Sequence, residues 1–298
     1  MLVKKNDTLF YYNINSENQF QKYNFSTNQY SKSYKICVGE IKAFYIDTSR
    51  IYFLVNDTFY VKSFDLITID YFIFPKPKIK NTHDIDFDTE NHSNLYYLDN
   101  YFVLLFYSVD VDENGIEMYN STNKKFYFFN KDTSFFSGID CLEDNLKFHY
   151  FRYPAIGCDK TCIYHANRTS NCLMKYNIID SYHSIQIDSI RNNYLTITNL
   201  DQFEISKLKK YRFSSDYNKE LVIKDSFIYL FIEIPSHIYF ENKIRKYDHE
   251  LEIKKYNKNL QFISEYRIKN KNYSYSLILD NRLYLFYFKQ EKAFIYEI

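Results

Sequence analysis

The stretch "GCDKTCIYHANRTSNC" gathers Cys158, Cys162, His165 and Cys172 in the order C-x3-C-x2-H-x6-C. Thiolate and imidazole donors at short spacing are the chemistry of tetrahedral zinc. Four protein ligands would fill the coordination sphere, so the metal expected here is a structural Zn rather than a catalytic one. The spacing matches no standard zinc knuckle, and a loop of scattered reduced thiols is the competing reading. The chain has 5 Cys, an odd count without an obvious framework, and its start, "MLVKKNDTLFYY", lacks a continuous apolar leader. Reduced thiols and a cytoplasmic location are therefore expected.

A second constellation, "NTHDIDFDTENHS", sets His83, Asp84, Asp86, Asp88, Glu90 and His92 close together. Alternating carboxylates suit a divalent cation, but the turn-forming glycine of a calcium loop is missing, which favours a solvated acidic loop. The 4 Gly residues are isolated, so no phosphate-cradling loop is present. No Ser–His–Asp or Cys–His arrangement can be assigned from order alone.

Charge is divided along the chain although the formal total is only +1. Residues 84–144 carry 13 acidic and 3 basic side chains, and residues 207–271 carry 15 basic and 9 acidic. The basic stretches contain Lys207, Lys209, Lys210, Arg212, Lys243, Arg245, Lys246, Lys254, Lys255, Arg267, Lys269 and Lys271, interleaved with Tyr. Cations beside aromatic faces suit phosphate contacts with base stacking, which makes this third the expected RNA- or partner-binding surface. The competing reading is that lysines guard outer strands against edge pairing.

These groups must be positioned by strands. Helical periodicity is scarce, and runs such as "IYFLVN", "LITIDYFIF", "FIYLFIEI" and "RLYLFYF" are β-branched and aromatic, bounded by Asp, Asn and Ser. No run reaches the roughly 18 apolar residues of a membrane helix. The phrase apolar run, Asp/Asn turn, apolar run recurs with turns at Asp7, Asp47, Asp99, Asp144, Asn192, Asp225 and Asp280, about 45.5 residues apart on average. A third and often a fourth, alternating strand follows each phrase. Four strands per unit of this length is the blade of a β-propeller.

The whole chain thus resembles the β-propeller superfamily in period and strand pattern, without the Trp-Asp and Gly-His signatures of WD40 repeats or the paired glycines of kelch repeats. The expected fold is all-β: a single propeller over residues 1–298, of about seven four-stranded blades, with six as the alternative if "MLVKK" supplies the last blade's missing strand. An insertion is expected over about residues 153–172, carrying the Cys/His cluster.

A propeller without a catalytic signature is expected to be a non-enzymatic interaction module with protein partners in a larger complex. In its AT-codon-biased composition and divided charge the chain also resembles microsporidian dormancy factors that cap idle ribosomes. That resemblance implies ribosome hibernation and rRNA contact through the basic C-terminal third. The rival expectation is a hydrolase or lyase using the central channel, for which Asp140 and Asp188 are the inward-capable carboxylates.

Overall fold

The computed structural model describes residues 2–5, 8–14, 19–31, 33–37, 39, 41–47, 49–76, 82–87, 95–111, 117–136, 155–166, 172–177, 183–186, 216–241, 244–269, 273, 275–279, 281–287 and 292–298. The β-rich composition yields six antiparallel sheets that follow one another along the chain. Sheet one holds β1 (Leu2–Lys5), β2 (Thr8–Ile14) and β3 (Gln19–Asn24), with the short β4 (Gln29–Tyr30) and β5 (Tyr34–Lys35) both on β3. Sheet two is β6 (Ile41–Ile46), β7 (Arg50–Val55), β8 (Thr58–Ser63) and β9 (Thr68–Ile73), in that order. In sheet three, β10 (Thr82–Phe87) and β11 (Tyr96–Leu98) pair with β12 (Tyr101–Val111), followed by β13 (Glu117–Phe129) and β14 (Ser134–Phe136).

Sheet four is β15 (Ala155–Cys158), β16 (Cys162–Ala166), β17 (Cys172–Asn177) and β18 (His183–Gln186). Sheet five is β19 (Tyr217–Lys224), β20 (Phe227–Glu241), β21 (Ile244–Asn257) and β22 (Phe262–Lys269). Sheet six is β23 (Tyr275–Leu279), β24 (Arg282–Tyr287) and β25 (Lys292–Glu297). Consecutive meanders of about four strands are blades, and the fold is a six-bladed β-propeller.

The chain forms two compact units, one of Met1–Glu117, Lys124–Asp140 and Phe286–Phe294, the other of Met118–Asn123, Cys141–Leu285 and Ile295–Ile298. In the first, sheets one and two meet through stacked rings: Tyr12 lies 4.6 Å and Phe20 5.9 Å from Phe64. Sheets two and three meet where Phe59 contacts Phe102 at 4.6 Å and Phe129 at 5.4 Å. Such pairs add about 0.5–1.5 kcal/mol beyond the area they bury. In the second unit Ala155, Tyr164, Ala166 and Leu173 of sheet four pack on Leu221, Ile228, Leu230 and Tyr256 of sheet five. Gly157 permits that approach, because a Cβ there would sit 2.6 Å from Leu221 Cδ2.

The turns explain why Asp and Asn mark the period in so glycine-poor a chain. Asp99, Asn100, Asp225 and Asn281 take positive φ, a conformation these residues tolerate better than other non-glycine types. Other turns share one plan, in which a side-chain Oδ1 accepts from the two backbone amides two and three residues on, as Asn24 does from Ser26 and Thr27. The same holds for Asp47 with Ser49 and Arg50, Asn130 with Asp132 and Thr133, and Asp159 with Thr161 and Cys162.

The structure corrects the sequence reading in three places. Six blades are present, the alternative count, and not seven. Between Asp99 and Asp225 the sequence reading inserted turns at Asp144 and Asn192, both outside the described residues, whereas sheet four hinges its first two strands at Asp159–Thr161. In that interval β12 and β13 run to 11 and 13 residues. The segment expected as an insertion at about 153–172 instead carries β15, β16 and the start of β17. Finally, Leu2–Lys5 pairs with β2 in sheet one, and sheet six has three strands among the described residues.

Candidate interaction surface

β9 is the outermost strand of sheet two, and among the described residues no strand pairs with its outer side. Tyr71 and Ile73 fall on one face of it, and Ile69, at a β-bulge, and Ile67, just before the strand, add two more large apolar side chains. These four side chains are 67, 51, 64 and 71% exposed. Opposite them Phe72 packs 4.9 Å from Phe59, in the core shared with sheet three.

The exposed face has a structural cause. Tyr71 pairs with Tyr60, whose ring stacks 5.5 Å from Phe53 on the side of sheet two that packs against sheet one. The outer strands of sheet one, β4 and β5, are two residues each. They end before they can cover β9.

The backbone of β9 is aligned with this row. The Phe74 N–H donates to Asp57 O at 2.8 Å. Antiparallel alternation then turns the main-chain groups of Phe72 and Asp70 toward β8 and those of Tyr71 and Ile73 outward, up to the β-bulge that leaves Ile69 without a register partner. Accordingly the Tyr71 N–H donates to the carboxylate Oδ1 of Asp70 at 2.8 Å rather than to β8. The other Asp70 oxygen lies 3.4 Å from Lys131 Nζ. The strand therefore presents apolar side chains and outward peptide groups together at Tyr71 and Ile73. Among other outer strands, β4, β5 and β14 are two or three residues long, and β22 exposes Glu265, Arg267 and Lys269 beside Phe262 and Ile263.

The basic residues read from the sequence divide into several environments. Lys254 is buried and lies 3.1 Å from Glu252 Oε1, while Arg267 Nη2 holds Glu252 Oε2 at 2.7 Å. The Glu252 carboxylate in turn raises the Arg267 pKa. Lys255 is half-buried, with Nζ 4.3 Å from the Phe227 ring centroid. Lys269 is exposed and paired in register with Glu250. Arg245 and Lys246 lie in β21 opposite Phe240 and Tyr239. Lys207, Lys209, Lys210, Arg212, Lys243 and Lys271 lie outside the described residues. The structure thus corrects one expectation: Lys254 is an internal partner of Glu252 and not a surface cation.

A pocket of about 360 Å³ lies beside Lys254, lined also by Phe262, Ser264 and Glu265. A second, of about 460 Å³, is lined by Tyr266, Asn281, Arg282, Glu297 and Ile298.

The Cys/His cluster is split by its strands. Cys158 and His165 stand opposite Ile163 and Ile156 in register, which places them on one face of the β15–β16 hairpin. Cys162 alternates to the other face, in the core with Tyr164, Ala166 and Leu221. Cys162 cannot join Cys158 and His165 around one tetrahedral centre without leaving that core, and the side chain of Cys172 lies outside the described residues. Burial pushes the Cys158 thiol well above its usual pKa, which opposes the thiolate that a metal needs. Among the described residues no three His, Cys, Asp or Glu side chains cluster closely enough to hold a metal ion. Of the acidic constellation, His83, Asp84 and Asp86 lie in β10, while Asp88, Glu90 and His92, like Asp140 and Asp188, lie outside the described residues.

Sequence reasoning missed a buried polar cluster at the start of β19. Glu233 pairs with Lys219, whose Nζ sits 4.1 Å from the centroid of the Tyr273 ring, beside buried Asp216 and Asn218. Its one visible signal is the lone carboxylate in "FIYLFIEI".

Comparison with solved structures agrees with this fold. A crystal structure of a member of the DUF4221 family from Bacteroides vulgatus matches over 100% of this chain and 92% of that one, at 13% identity and TM-score 0.69. Matches at TM-score 0.43 and 0.39 are a chain in a mitotic checkpoint complex structure and BamB from Moraxella catarrhalis. The former is 9% identical and covers 100% and 89% of the two chains; the latter is 8% identical and covers 100% and 84%. No protein-family model matches the chain, and no curated protein sequence does. The similarity at TM-score 0.69 places the chain in the structural class of β-propellers and says nothing of its chemistry. No helix among the described residues is long and apolar enough to cross a membrane.

Proposed function

We propose that the protein is a non-enzymatic interaction module that works within a larger assembly and docks through the outer strands of its propeller. The observation that carries this reading is the uncovered row Ile67, Ile69, Tyr71 and Ile73 on β9. Large apolar side chains gathered on one exposed face mark a binding surface more often than ordinary solvent-facing protein. The outward main-chain groups of Tyr71 and Ile73 fit recognition by strand addition, in which peptide bonds supply affinity and alternate side chains supply specificity.

A ribosomal partner, with the protein acting as a hibernation factor, is the finer form of this proposal. It rests on the basic C-terminal third, of which Lys269 and the outer part of Arg267 remain at the surface. Ribosome binding of this kind would weaken steeply with salt as phosphate counterions are released.

The test compares wild type with Tyr71→Lys, which places a cation in the row without touching the core. Wild type in native lysate is expected to co-sediment with a heavier assembly, and the variant to return to the light fractions with its fold intact by circular dichroism. Wild type migrating as a free 36.4 kDa species in low salt would overturn the proposal.

A further inference from the structure

Sheet five carries a second feature, separate from β9 and independent of whether that strand docks. Lys254 pairs in register with Glu265, and Tyr256 with Phe262. The register slips at Ile263, a β-bulge that sets Phe262 on the same face as Glu265. These residues bound the pocket of about 360 Å³ lined by Lys254, Phe262, Ser264 and Glu265. Small-ligand sites span roughly 300–1,000 Å³. We propose that this pocket binds a neutral sugar ring.

Three observations lead there. First, the charges around the pocket cancel and are held in place. Arg267 Nη2 holds Glu252 Oε2 at 2.7 Å, and Glu252 Oε1 lies 3.1 Å from Lys254 Nζ. Adding Glu265 gives two cations and two carboxylates. A cationic ligand would meet Lys254 in the wall, and an anionic ligand would meet Glu265. A neutral ligand meets neither penalty.

Second, two polar groups on this face await a partner. Among the described residues the Glu265 carboxylate has no hydrogen bond or ion pair, because Lys254 across from it turns to Glu252. The Tyr256 hydroxyl is buried without a hydrogen-bond partner, a costly state that a ligand would relieve. Burial, followed by the Glu252 and Glu265 carboxylates, raises the Tyr256 pKa, so its hydroxyl lies near both. A carboxylate accepts, and a tyrosine hydroxyl donates and accepts. Alcohol hydroxyls do both, and a sugar carries several on adjacent carbons.

Third, the pocket has an apolar wall. Phe262 is 46% exposed, and its ring meets Tyr256 edge-on at 5.9 Å. A pyranose has one face of C–H groups that suits such a ring, with hydroxyls at its rim for Glu265 and Tyr256. One ring contact and two hydrogen bonds correspond to a Kd of about 1 mM.

Saturation-transfer NMR on the full chain tests the site. The probes are methyl glucoside, methyl galactoside and N-acetylglucosamine, with glucosamine and glucuronate as charged counterparts. At least one neutral probe is expected to receive saturation at its ring C–H protons, and both charged sugars to bind more weakly. Glu265→Ala and Phe262→Ala change exposed side chains and are each expected to weaken binding about tenfold. Tyr256→Phe removes only a hydroxyl. It is expected to weaken binding about three- to tenfold while thermal stability holds or rises, which a merely structural hydroxyl would not do. Tyr71→Lys is expected to bind the probe as wild type does, so this site and the β9 docking surface stand or fall separately. No saturation of any neutral probe at about 10 mM would overturn the inference. So would binding indifferent to Glu265→Ala or Tyr256→Phe, or a charged sugar that binds more tightly than the neutral ones.

Discussion

Glu233 is a carboxylate in the middle of the apolar run of β20, with its side chain 8% exposed and Lys219 as its partner. Removing one member of a buried pair strands the other charge away from water. Glu233→Ala is therefore expected to cost about 3–5 kcal/mol in urea denaturation, while the double change Lys219→Met, Glu233→Leu recovers most of it. Asp159 behaves differently. Burial opposes its ionisation, but the Lys258 ammonium at 2.8 Å and the Thr161 and Cys162 amides outweigh burial and hold its pKa below the usual value. A depressed folded pKa means the stabilisation is complete above the unfolded value of about 3.9 and is lost as pH falls through the folded one. Asp159→Asn keeps the turn acceptor and removes only the charge. It is expected to lower stability by about 0.5–1 kcal/mol near pH 6, a modest value because Lys258 is partly solvated. Thermal melts should show the gap to wild type closing toward pH 2.

At the scale of the element, Gly157 marks where sheet four approaches sheet five. Gly157→Ala would set a Cβ 2.6 Å from Leu221 Cδ2 and 3.0 Å from its carbonyl oxygen. Overpacking of this kind is expected to cost about 1–3 kcal/mol by chemical denaturation, and Leu221→Ala in the same chain should relieve only the side-chain part. The strands themselves were legible in the sequence, because β-branched and aromatic runs between Asp and Asn turns report local backbone preference. "LITIDYFIF" was read as a strand and is one. That its Ile and Tyr residues face solvent was not legible, since exposure depends on the short neighbours β4 and β5 and not on β9's own residues. The blade count settled on six, the alternative, and not seven, for a related reason. Asp and Asn are so frequent that turn-like phrases at Asp144 and Asn192, both outside the described residues, were counted as hinges between Asp99 and Asp225, where the described residues place one at Asp159–Thr161. Cys158, Cys162 and His165 looked adjacent in sequence, yet strand alternation sends Cys162 to the opposite face.

At the scale of the molecule, the fold explains why composition predicted architecture better than activity. A propeller blade needs only repeated amphipathic and buried strands, which the aromatic-rich sequence supplies throughout. A binding surface depends on which of those strands is left uncovered. Formal charge also overstates the basic surface, because Lys254 is consumed inside sheet five and Arg267 is shared with Glu252. The apolar row of β9 therefore outweighs the basic third as the docking feature.

Gradient sedimentation of wild type and Tyr71→Lys, side by side from native lysate, tests this most directly. The account predicts wild type in heavy fractions and the folded variant in light ones. Identical profiles for the two proteins would contradict it.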